Sequence, residues 1–284
     1  MAPASKATAK AESEARFGFG KNWRNFLKLL SEDRIVAAEE SLKNMLRLDS
    51  LRGRRFLDIG SGSGLFSLAA YRLGAEVVSF DYDRESVAAT LSLRSRFATG
   101  ERDWRVEEGS VLDKAYLAGL GLFDVVYSWG VLHHTGSQWE ALANAAAAVK
   151  PSGGLYVALY NDQGVLSRFW ALVKKTYNSG PAGRILTSAV FVPPLTLFQA
   201  GRSLVLTGSP FRHYTRHKER GMSPLHDVFD WIGGWPFEVS SPGEVLEFLR
   251  RRDFTLEKLV TTNGHGNNEF LFRRGGESSP REAA

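Results

Sequence analysis

The chain has 284 residues and a formal net charge of +5, from 36 Lys and Arg against 31 Asp and Glu. It contains no cysteine, which excludes disulfides, thiolate catalysis and Cys-based zinc sites. Its length suits one large α/β domain with insertions or two small domains, and a hydrophobic share of 43% is ordinary for a globular core. The N-terminus does not resemble a signal peptide and no apolar run reaches about 18 residues, so we expect a cytoplasmic protein without a membrane-spanning helix.

The excess of positive charge is spread along the chain. Basic groups occur in the N-terminal tail, from Arg212 to Arg220, from Arg250 to Arg252, and at Arg273 and Arg274. Scattered basic residues are more often solvated surface than a nucleic-acid site. Nucleic acid is therefore an unfavoured partner, and an RNA substrate stays open as an alternative.

Helices are predicted in residues 17–50, after a tail at 1–16 that is expected to be disordered. Apolar residues recur at helical spacing in two groups, which are Trp23, Phe26, Leu27 and Leu30, and then Ile35, Ala38, Leu42 and Met45. Phe19 and Trp23 are either lid residues over a bound ligand or ordinary packing residues between helices.

Strand and helix signals alternate through residues 51–160. Strand patterns lie near 55–59, 76–80, 104–107, 123–129 and 155–160, and helical patterns lie near 65–73, 84–97 and 138–149. The segment KPSGG, residues 150–154, is predicted to break the chain before the fifth strand. This alternation is typical of βαβ units and predicts a parallel sheet.

The first strand ends in a glycine turn. In FLDIGSGSG, residues 56–64, a buried strand pattern is followed by Gly60, Gly62 and Gly64 and then by a helical pattern. Glycine permits a positive φ and lets a ligand approach the backbone closely. The N-terminus of the next helix points its free N–H groups at the turn. The sequence therefore predicts a ligand-binding turn.

The second strand ends in a carboxylate, Asp81. This is the place where nucleotide-binding sheets put an acceptor for ribose hydroxyls. Asp83, two residues later, is predicted to cap the following helix.

The spacing acid-x-Gly-x-Gly-x-Gly resembles motif I of the class I S-adenosylmethionine-dependent methyltransferases. The resemblance implies S-adenosylmethionine as the cofactor, with the turn around its methionine part and the acid near its amino group. The cofactor-binding residues that it implies are Asp58, Gly60, Ser61, Gly62, Gly64, Asp81, Tyr82, Ser110, Val111 and Trp129. A nicotinamide-dependent oxidoreductase is an alternative that Leu65 disfavours, because the dinucleotide fingerprint wants glycine at that position.

The loop after the fourth strand, residues 128–139, carries His133 and His134. Ligands of an open α/β sheet lie at the carboxyl ends of its strands, and a neutral imidazole can take a proton from a hydroxyl. Either histidine is a candidate catalytic base, and either is equally a hydrogen-bonding member of the loop. The VLHH segment, residues 131–134, resembles the ubiquinone-biosynthesis-type, polyprenyl hydroxyphenyl methylase-like O-methyltransferases.

An insertion at 161–240 is too long for an unstructured loop and is predicted to form a helical cap over the acceptor. Val165, Leu166, Phe169, Trp170, Val173 and Tyr177 form a helical stripe in it. Residues 185–200 are strongly apolar, so contact with a lipid surface is a variant of this prediction. The segment 213–238 is expected to be a shaped loop. The candidate substrate residues are Asn161, His226, Asp227, Asp230 and Trp231.

Residues 241–274 are predicted to close the fold. Ser241 and Glu244 read as a capping box, and two strand patterns follow before a tail at 275–284 that is expected to be disordered. The family that the chain resembles implies the fold class: an α/β, seven-stranded Rossmann-like sheet whose last strand is antiparallel and inserted beside the fifth. An N-terminal helical lid and a helical cap after the fifth strand complete it.

The sequence thus favours a methyltransferase that acts on a small molecule, at a hydroxyl oxygen. An RNA (tRNA) methyltransferase, the nicotinamide-dependent oxidoreductase and a cofactor-binding protein without catalysis remain as alternatives. No metal is expected, because the loop after the fourth strand holds no carboxylate cluster.

Overall fold

The structure is a computed structural model that describes residues 30–98, 102–209, 224–264 and 266–276. Within the helix at 224–233, the side chains of 224–227 and 230 are also outside the description. The expected lid residues Phe19 and Trp23 lie outside the described residues, as do the tails at 1–16 and 277–284.

Seven strands form one sheet in the order β3-β2-β1-β4-β5-β7-β6. The strands are β1 Arg55–Ile59, β2 Glu76–Asp81, β3 Trp104–Glu108, β4 Phe123–Trp129, β5 Val149–Tyr160, β6 Phe254–Val260 and β7 Asn267–Arg274. Strands β1 to β5 pair in parallel, and β7 runs antiparallel to both β5 and β6. This order confirms the predicted sheet.

The described helices are α1 Glu32–Leu46, α2 Leu65–Arg72, α3 Arg84–Phe97, α4 Lys114–Leu120, α5 Gln138–Ala147, α6 Val165–Tyr177, α7 Pro181–Thr207, α8 Pro224–Gly233 and α9 Pro242–Arg250. Apolar residues of α1, α2 and α3 pack on one face of the sheet, and those of α4, α5 and α9 pack on the other. Because helices cover both faces of the sheet, the central strands are apolar on both sides. Polar groups that can bind a ligand are therefore expected at the ends of the strands.

Three of the described helices are capped by the side chain of their own N-cap residue. The carboxylate of Asp83 accepts the backbone N–H of Glu85 at the start of α3, as predicted. Ser241 and Glu244 form the predicted capping box of α9. Asp113 caps α4, a seven-residue helix that the sequence patterns did not indicate.

Strand β5 begins at Val149, six residues before the expected start. The KPSGG segment was predicted as a break, and it lies within the strand. A register shift between Phe123 and Val125 of the neighbouring β4 lets the pairing resume at Gly154. A bulge of this kind keeps the strand paired on both sides of an irregular segment.

Helices α6, α7 and α8 form the cap between β5 and α9. Trp170, Val173 and Tyr177 of α6 pack with Val228 and Ile232 of α8 in a separate apolar cluster. Helix α8 corrects the prediction of a loop over 213–238 for the residues that it contains. Val228 and Ile232 are four residues apart, so both reach the same side of a helix, and burying that side against α6 outweighs the loop signal of Gly233 and Gly234.

Helix α7 bears on the expectation that no helix spans a membrane, and by length and composition alone it does not overturn that expectation. It has 27 residues and, among the described helices, is the one long and apolar enough to cross a bilayer. The prediction counted uninterrupted apolar runs, which the threonines, serines and Gln199 of this helix divide. Average hydropathy over a window tolerates such interruptions.

Candidate active site

The glycine turn follows β1 as predicted, and the structure explains two of its glycines by packing. A Cβ on Gly60 would lie 2.5 Å from both γ-carbons of Val131, in the loop after β4. A Cβ on Gly64 would lie 2.9 Å from the side chain of Thr90 on α3. Both glycines have positive φ, at 75° and 80°. The turn is therefore shaped by its neighbours in the protein as well as by the needs of a ligand.

Asp81 ends β2 directly beside this turn. Its Oδ2 accepts the backbone N–H of Gly62 at 3.0 Å, and its Oδ1 accepts the backbone N–H of Asp83 at 2.9 Å. Burial raises the pKa of Asp81 to about 6, against the opposing effect of these two N–H groups. The backbone N–H of Tyr82 also acts on this carboxylate, and of its about four acceptor positions one remains for a hydroxyl donor. The Asp81 carboxylate, as an acceptor, fits the ribose of S-adenosylmethionine, and the adjoining glycine turn fits its amino-acid part.

Asp58 lies beneath the turn rather than in it. Its side chain is buried, and its Oδ2 accepts the hydroxyl of Ser67 on α2 at 2.5 Å. Ser67 and Ser79 share a hydrogen bond at 2.7 Å, and the indole N–H of Trp104 donates to Ser79. Burial raises the pKa of Asp58 to about 7, and the neighbouring charge of Asp81 adds to the rise. The structure thus places Asp58 in a buried network that joins β1, α2, β2 and β3, and its contact with a cofactor stays a prediction.

The remaining predicted cofactor residues lie at the carboxyl ends of adjacent strands. Tyr82 follows β2 and is half-exposed, and Trp129 ends β4 and is partly buried. Ser110 and Val111 follow β3; the Ser110 hydroxyl accepts the backbone N–H of Leu112, and the Val111 carbonyl accepts from Asn144. The fold brings these residues and the glycine turn to one edge of the sheet.

His133 is fully buried in a short 3₁₀ turn after β4. Its Nδ1 accepts the backbone N–H of Tyr160 at 3.2 Å, and its ring lies 3.8 Å from the Tyr160 ring centre to centre. Nδ1 as acceptor assigns the proton to Nε2, which is buried without a hydrogen-bond partner among the described residues. Burial holds the pKa of His133 well below its usual range, and the nearby His134 and Lys174 add to this effect. His133 therefore joins the loop to the end of β5.

His134 has a different environment and is partly exposed. Its Nδ1–H donates to the carbonyl of Pro236 at 2.6 Å, so the neutral ring keeps its basic lone pair on Nε2. Burial lowers its pKa to about 3, with a smaller contribution from the positive charge of Lys174. The assignment of either histidine as a catalytic base stays a prediction.

Glu238 holds this loop from a distant part of the sequence. Both of its carboxylate oxygens accept the backbone N–H of Gln138, at 3.1 and 3.0 Å, which caps helix α5. Its own N–H donates to the carbonyl of His133 at 3.0 Å. Burial raises the pKa of Glu238, while the N–H groups of Gln138 and Gly136 act in the opposite direction. Sequence reasoning missed this residue, because a cap from 100 positions away leaves no local pattern.

A small pocket lies between the end of β5 and the cap. It is lined by Tyr160, Asn161, Gln163, Ser167, Trp170, Trp231, Phe237 and Gly266. The predicted substrate residues Asn161 and Trp231 are therefore brought together here. Within the chain, Asn161 already donates to the carbonyl of Thr262 and accepts from Asn268. Tyr160, Trp170 and Phe237 were missed as lining residues, although Tyr160 could have been found as the last residue of a predicted strand.

Three predicted substrate residues and the expected absence of a metal are not tested by the described side chains. His226, Asp227 and Asp230 belong to α8, and their side chains lie outside the described part of the structure. Within the described residues, no group of three or more His, Cys, Asp or Glu side chains is arranged to hold a metal ion. The expectation of a metal-free site stays a prediction.

Comparison with known proteins identifies the family. A family model described as a methyltransferase domain matches residues 30–182. A ubiquinone biosynthesis O-methyltransferase of Rhodopseudomonas palustris (strain TIE-1) is 32% identical over 130 residues, which are 45% of this chain and 48% of that protein. Its counterpart in Xanthomonas campestris pv. campestris (strain B100) is 36% identical over 124 residues, 42% of this chain and 50% of that protein. The chain thus spans about half the length of the curated relatives that it matches.

Solved structures show the same fold. Magnesium protoporphyrin IX methyltransferase from Synechocystis PCC 6803, solved with bound S-adenosylhomocysteine, superposes with a TM-score of 0.55 at 12% identity. The match covers 94% of this chain and 100% of that one. This likeness shows that the two chains share the fold of the seven-stranded sheet.

Proposed function

This chain belongs to the methyltransferase domain family, and we propose that it transfers the methyl group of S-adenosylmethionine to a hydroxyl oxygen of a small molecule. The observation that carries the proposal is the glycine turn after β1 with the Asp81 carboxylate hydrogen-bonded to its backbone. The curated relatives support the oxygen acceptor by their names, ubiquinone biosynthesis O-methyltransferases.

Residues at the carboxyl ends of β1 and β2 hold the cofactor in this proposal. When bound, S-adenosylmethionine supplies an electrophilic methyl group, so the protein has to position the partners and manage one proton. Asp81 accepts a ribose hydroxyl with its remaining acceptor capacity, and the turn from Ser61 to Gly64 surrounds the methionine part. Tyr82 and Trp129 flank the turn with aromatic surface.

The acceptor lies between the loop after β4 and the aromatic pocket of the cap. Tyr160, Trp231 and Phe237 line this pocket, and their rings pack against one another. His134 takes the proton through Nε2, because Nδ1–H is committed to the Pro236 carbonyl. With a pKa of about 3, this imidazole is a weak base. We therefore expect an acceptor hydroxyl that is itself acidic, such as a phenol or an enol.

Calorimetric titration of the purified chain tests the cofactor. We expect S-adenosylmethionine and S-adenosylhomocysteine to bind and NAD to give no heat. The Asp81→Ala variant should bind S-adenosylmethionine about 30- to 150-fold more weakly, the equivalent of about 2–3 kcal/mol for losing a charged acceptor. Asp83→Asn is the matched control: asparagine also caps helices well, so its affinity should equal that of the wild type.

Two results would contradict the assignment. Binding of NAD in place of S-adenosylmethionine would favour the oxidoreductase alternative. A folded Asp81→Ala variant with wild-type affinity would remove Asp81 and the neighbouring turn from the cofactor site.

A further inference from the structure

We propose that helices α6 and α7 form a lipid-docking face, with which the protein rests on the surface of an anionic membrane. This inference does not depend on methyl transfer. It rests on the exposure, chemistry and charge of the two cap helices.

Helix α7 turns its apolar side outward. Its exposed apolar side chains include Ile185, Val190, Pro193, Leu197, Phe198 and Val205. Leu197 is 72% exposed, Phe198 71% and Val205 85%. Soluble proteins rarely leave a continuous apolar stripe of this length in water, and such surfaces mark interaction sites.

The inward side of α7 carries hydroxyl groups beside its packed apolar residues. The hydroxyls of Thr187, Thr196 and Thr207 donate to backbone carbonyls of the preceding turn of the same helix. Ser203 donates to the carbonyl of Ser209. The outward side of α7 thus carries most of the apolar residues of the helix, which is the arrangement expected if that side meets lipid.

Helix α6 extends the same surface. Val165, Phe169 and Leu172 lie at i, i+4 and i+7, so they share one side of α6, and all three are exposed. The ring of Phe169 contacts the ring of Phe191 on α7, with 5.9 Å between centroids. The two helices thus present one apolar face.

The charges around this face suit an anionic surface. Between Gln163 and Ser209 the sequence contains five basic residues and no acidic residue. Arg168, Lys175, Arg184 and Arg202 are exposed. Cations that flank an apolar helical face are typical of helices that lie in the interface of membranes with anionic lipids. This charge pattern favours a lipid surface over a second copy of the chain, whose own basic face would repel it.

Helix α7 lies on the membrane in this proposal and does not cross it, although its length would allow crossing. Its inward residues Phe191, Val192 and Leu195 pack against the cluster that contains Trp170 and Ile232. Insertion across the bilayer would separate α7 from this cluster and expose the cap interior. Docking in the plane of the interface keeps the cluster intact.

Flotation of the full chain with vesicles tests the proposal. We expect binding to vesicles of phosphatidylglycerol and phosphatidylcholine, weaker binding to phosphatidylcholine alone, and release at high salt. Leu197→Glu with Phe198→Glu should lower the partition coefficient at least tenfold. Arg184→Gln with Arg202→Gln should lower it about 25-fold on anionic vesicles, since each cation near such a surface contributes about fivefold.

The control is a double variant that adds the same two negative charges outside the proposed lipid-docking face. Val36→Glu with Leu122→Glu replaces exposed apolar residues on α1 and next to β4, and it should bind vesicles like the wild type. Thermal unfolding of every variant verifies its fold, and the lipid and salt dependence of the wild type tests the proposal without any variant. Equal binding by the α7 glutamate variant and the wild type would overturn it. Protein that stays in the membrane after alkaline carbonate extraction would also overturn it, because this is the behaviour of a spanning helix. A third contrary result would be a dimer that has no affinity for vesicles and that dissociates when Leu197 and Phe198 are replaced by glutamate.

Discussion

His133 and His134 are adjacent in the sequence and have separate functions in the structure. His133 is buried and accepts a backbone N–H of β5, whereas His134 donates to Pro236 and keeps Nε2 as its basic atom. The sequence left the choice between them open, because both side chains stand at the end of the same strand. Hydrogen-bond partners from β5 and from the segment after α8 make the difference.

Replacement of His134 by alanine tests its function as the base. We expect kcat to fall by about 10²-fold, the lower end of the range for a general base, because a weak base helps an acidic hydroxyl only modestly; the affinity for S-adenosylmethionine should change little. Because burial lowers the pKa of His134 to about 3, the ring stays neutral above pH 5. The rate of the wild type should therefore show no limb near pH 6.5, and any rise with pH reports ionisation of the acceptor. Steady-state rates from pH 5 to 9 measure this, and a His134→Ala variant with most of its turnover would assign the residue to loop structure.

Replacement of His133 tests stability. The folded state keeps His133 neutral, whereas the unfolded chain takes up a proton below pH 6.5. Its contribution to stability is thus complete above pH 6.5 and is lost as pH falls toward the lowered pKa. Between pH 6.5 and 5, the wild type should lose about 2 kcal/mol more than His133→Asn. Denaturant titrations at both pH values measure the difference, and parallel losses would contradict a neutral buried imidazole.

A second variant at this position separates charge from hydrogen bonding. Asparagine can still accept the N–H of Tyr160, and alanine cannot. At pH 8 we expect His133→Ala to be less stable than His133→Asn by about 1–3 kcal/mol, the cost of an unsatisfied buried donor. Equal stabilities would mean that water replaces the imidazole.

At the scale of elements, the loop after β4 is held by the segment that returns from the cap. Glu238 caps α5 and donates to His133, and Pro236 accepts from His134. Ser240 donates its backbone N–H to the carbonyl of Tyr160 at the end of β5. These contacts join the cap to the loop after β4, so the position of one depends on the other.

Glu238→Ala should lower both stability and turnover. We expect a loss of about 0.5–2 kcal/mol for the missing helix cap, and a fall in kcat that exceeds the change in cofactor affinity. Glu140→Gln is the matched control on the same helix: Glu140 is exposed and pairs with Lys114 at 3.0 Å. Thermal unfolding and separate kcat and KM values make the comparison. If Glu238→Ala matched Glu140→Gln in both, the cap would not position the loop.

Elements differed in how well the sequence predicted them. Helix α3 and strand β1 were predicted at their observed bounds. In each, the local periodicity stops at a clear boundary signal, which is the cap Asp83 before α3 and the glycine turn after β1. Helix α8 was missed because its apolar side is matched to α6, about 60 positions away. In the stripe predicted for α6, Trp170, Val173 and Tyr177 are buried and Phe169 is exposed, since the surface of the cap divides one helical face in two.

At the scale of the whole molecule, much of the positive charge is balanced locally. Arg72 pairs with Glu32 and Glu39, and Arg273 pairs with Glu257. Arg250 and Arg251 both pair with Glu247, whose pKa these two guanidinium groups lower to about 2. Paired cations release few counterions when a polyanion approaches.

A nucleic-acid substrate is therefore not expected. Bulk tRNA should bind weakly, and methyl transfer to a small acceptor should change little between about 50 and 200 mM salt. An RNA enzyme with six phosphate contacts would show a log–log slope of about −4. Filter binding with labelled tRNA across this range measures the slope. A steep slope together with methylation of the RNA would favour the RNA methyltransferase.

The sequence by itself determined the sheet, the glycine turn and the family, because these depend on residues close together in the chain. The strand pattern, the spacing of Gly60 and Gly64 and the acid at Asp81 are local signals of backbone shape and ligand chemistry. Only the tertiary structure decided the environment of the two histidines, the contacts of Glu238 and the outward apolar face of α7. Each of these depends on which distant segment covers a side chain, and burial by a distant partner leaves no mark at the position itself.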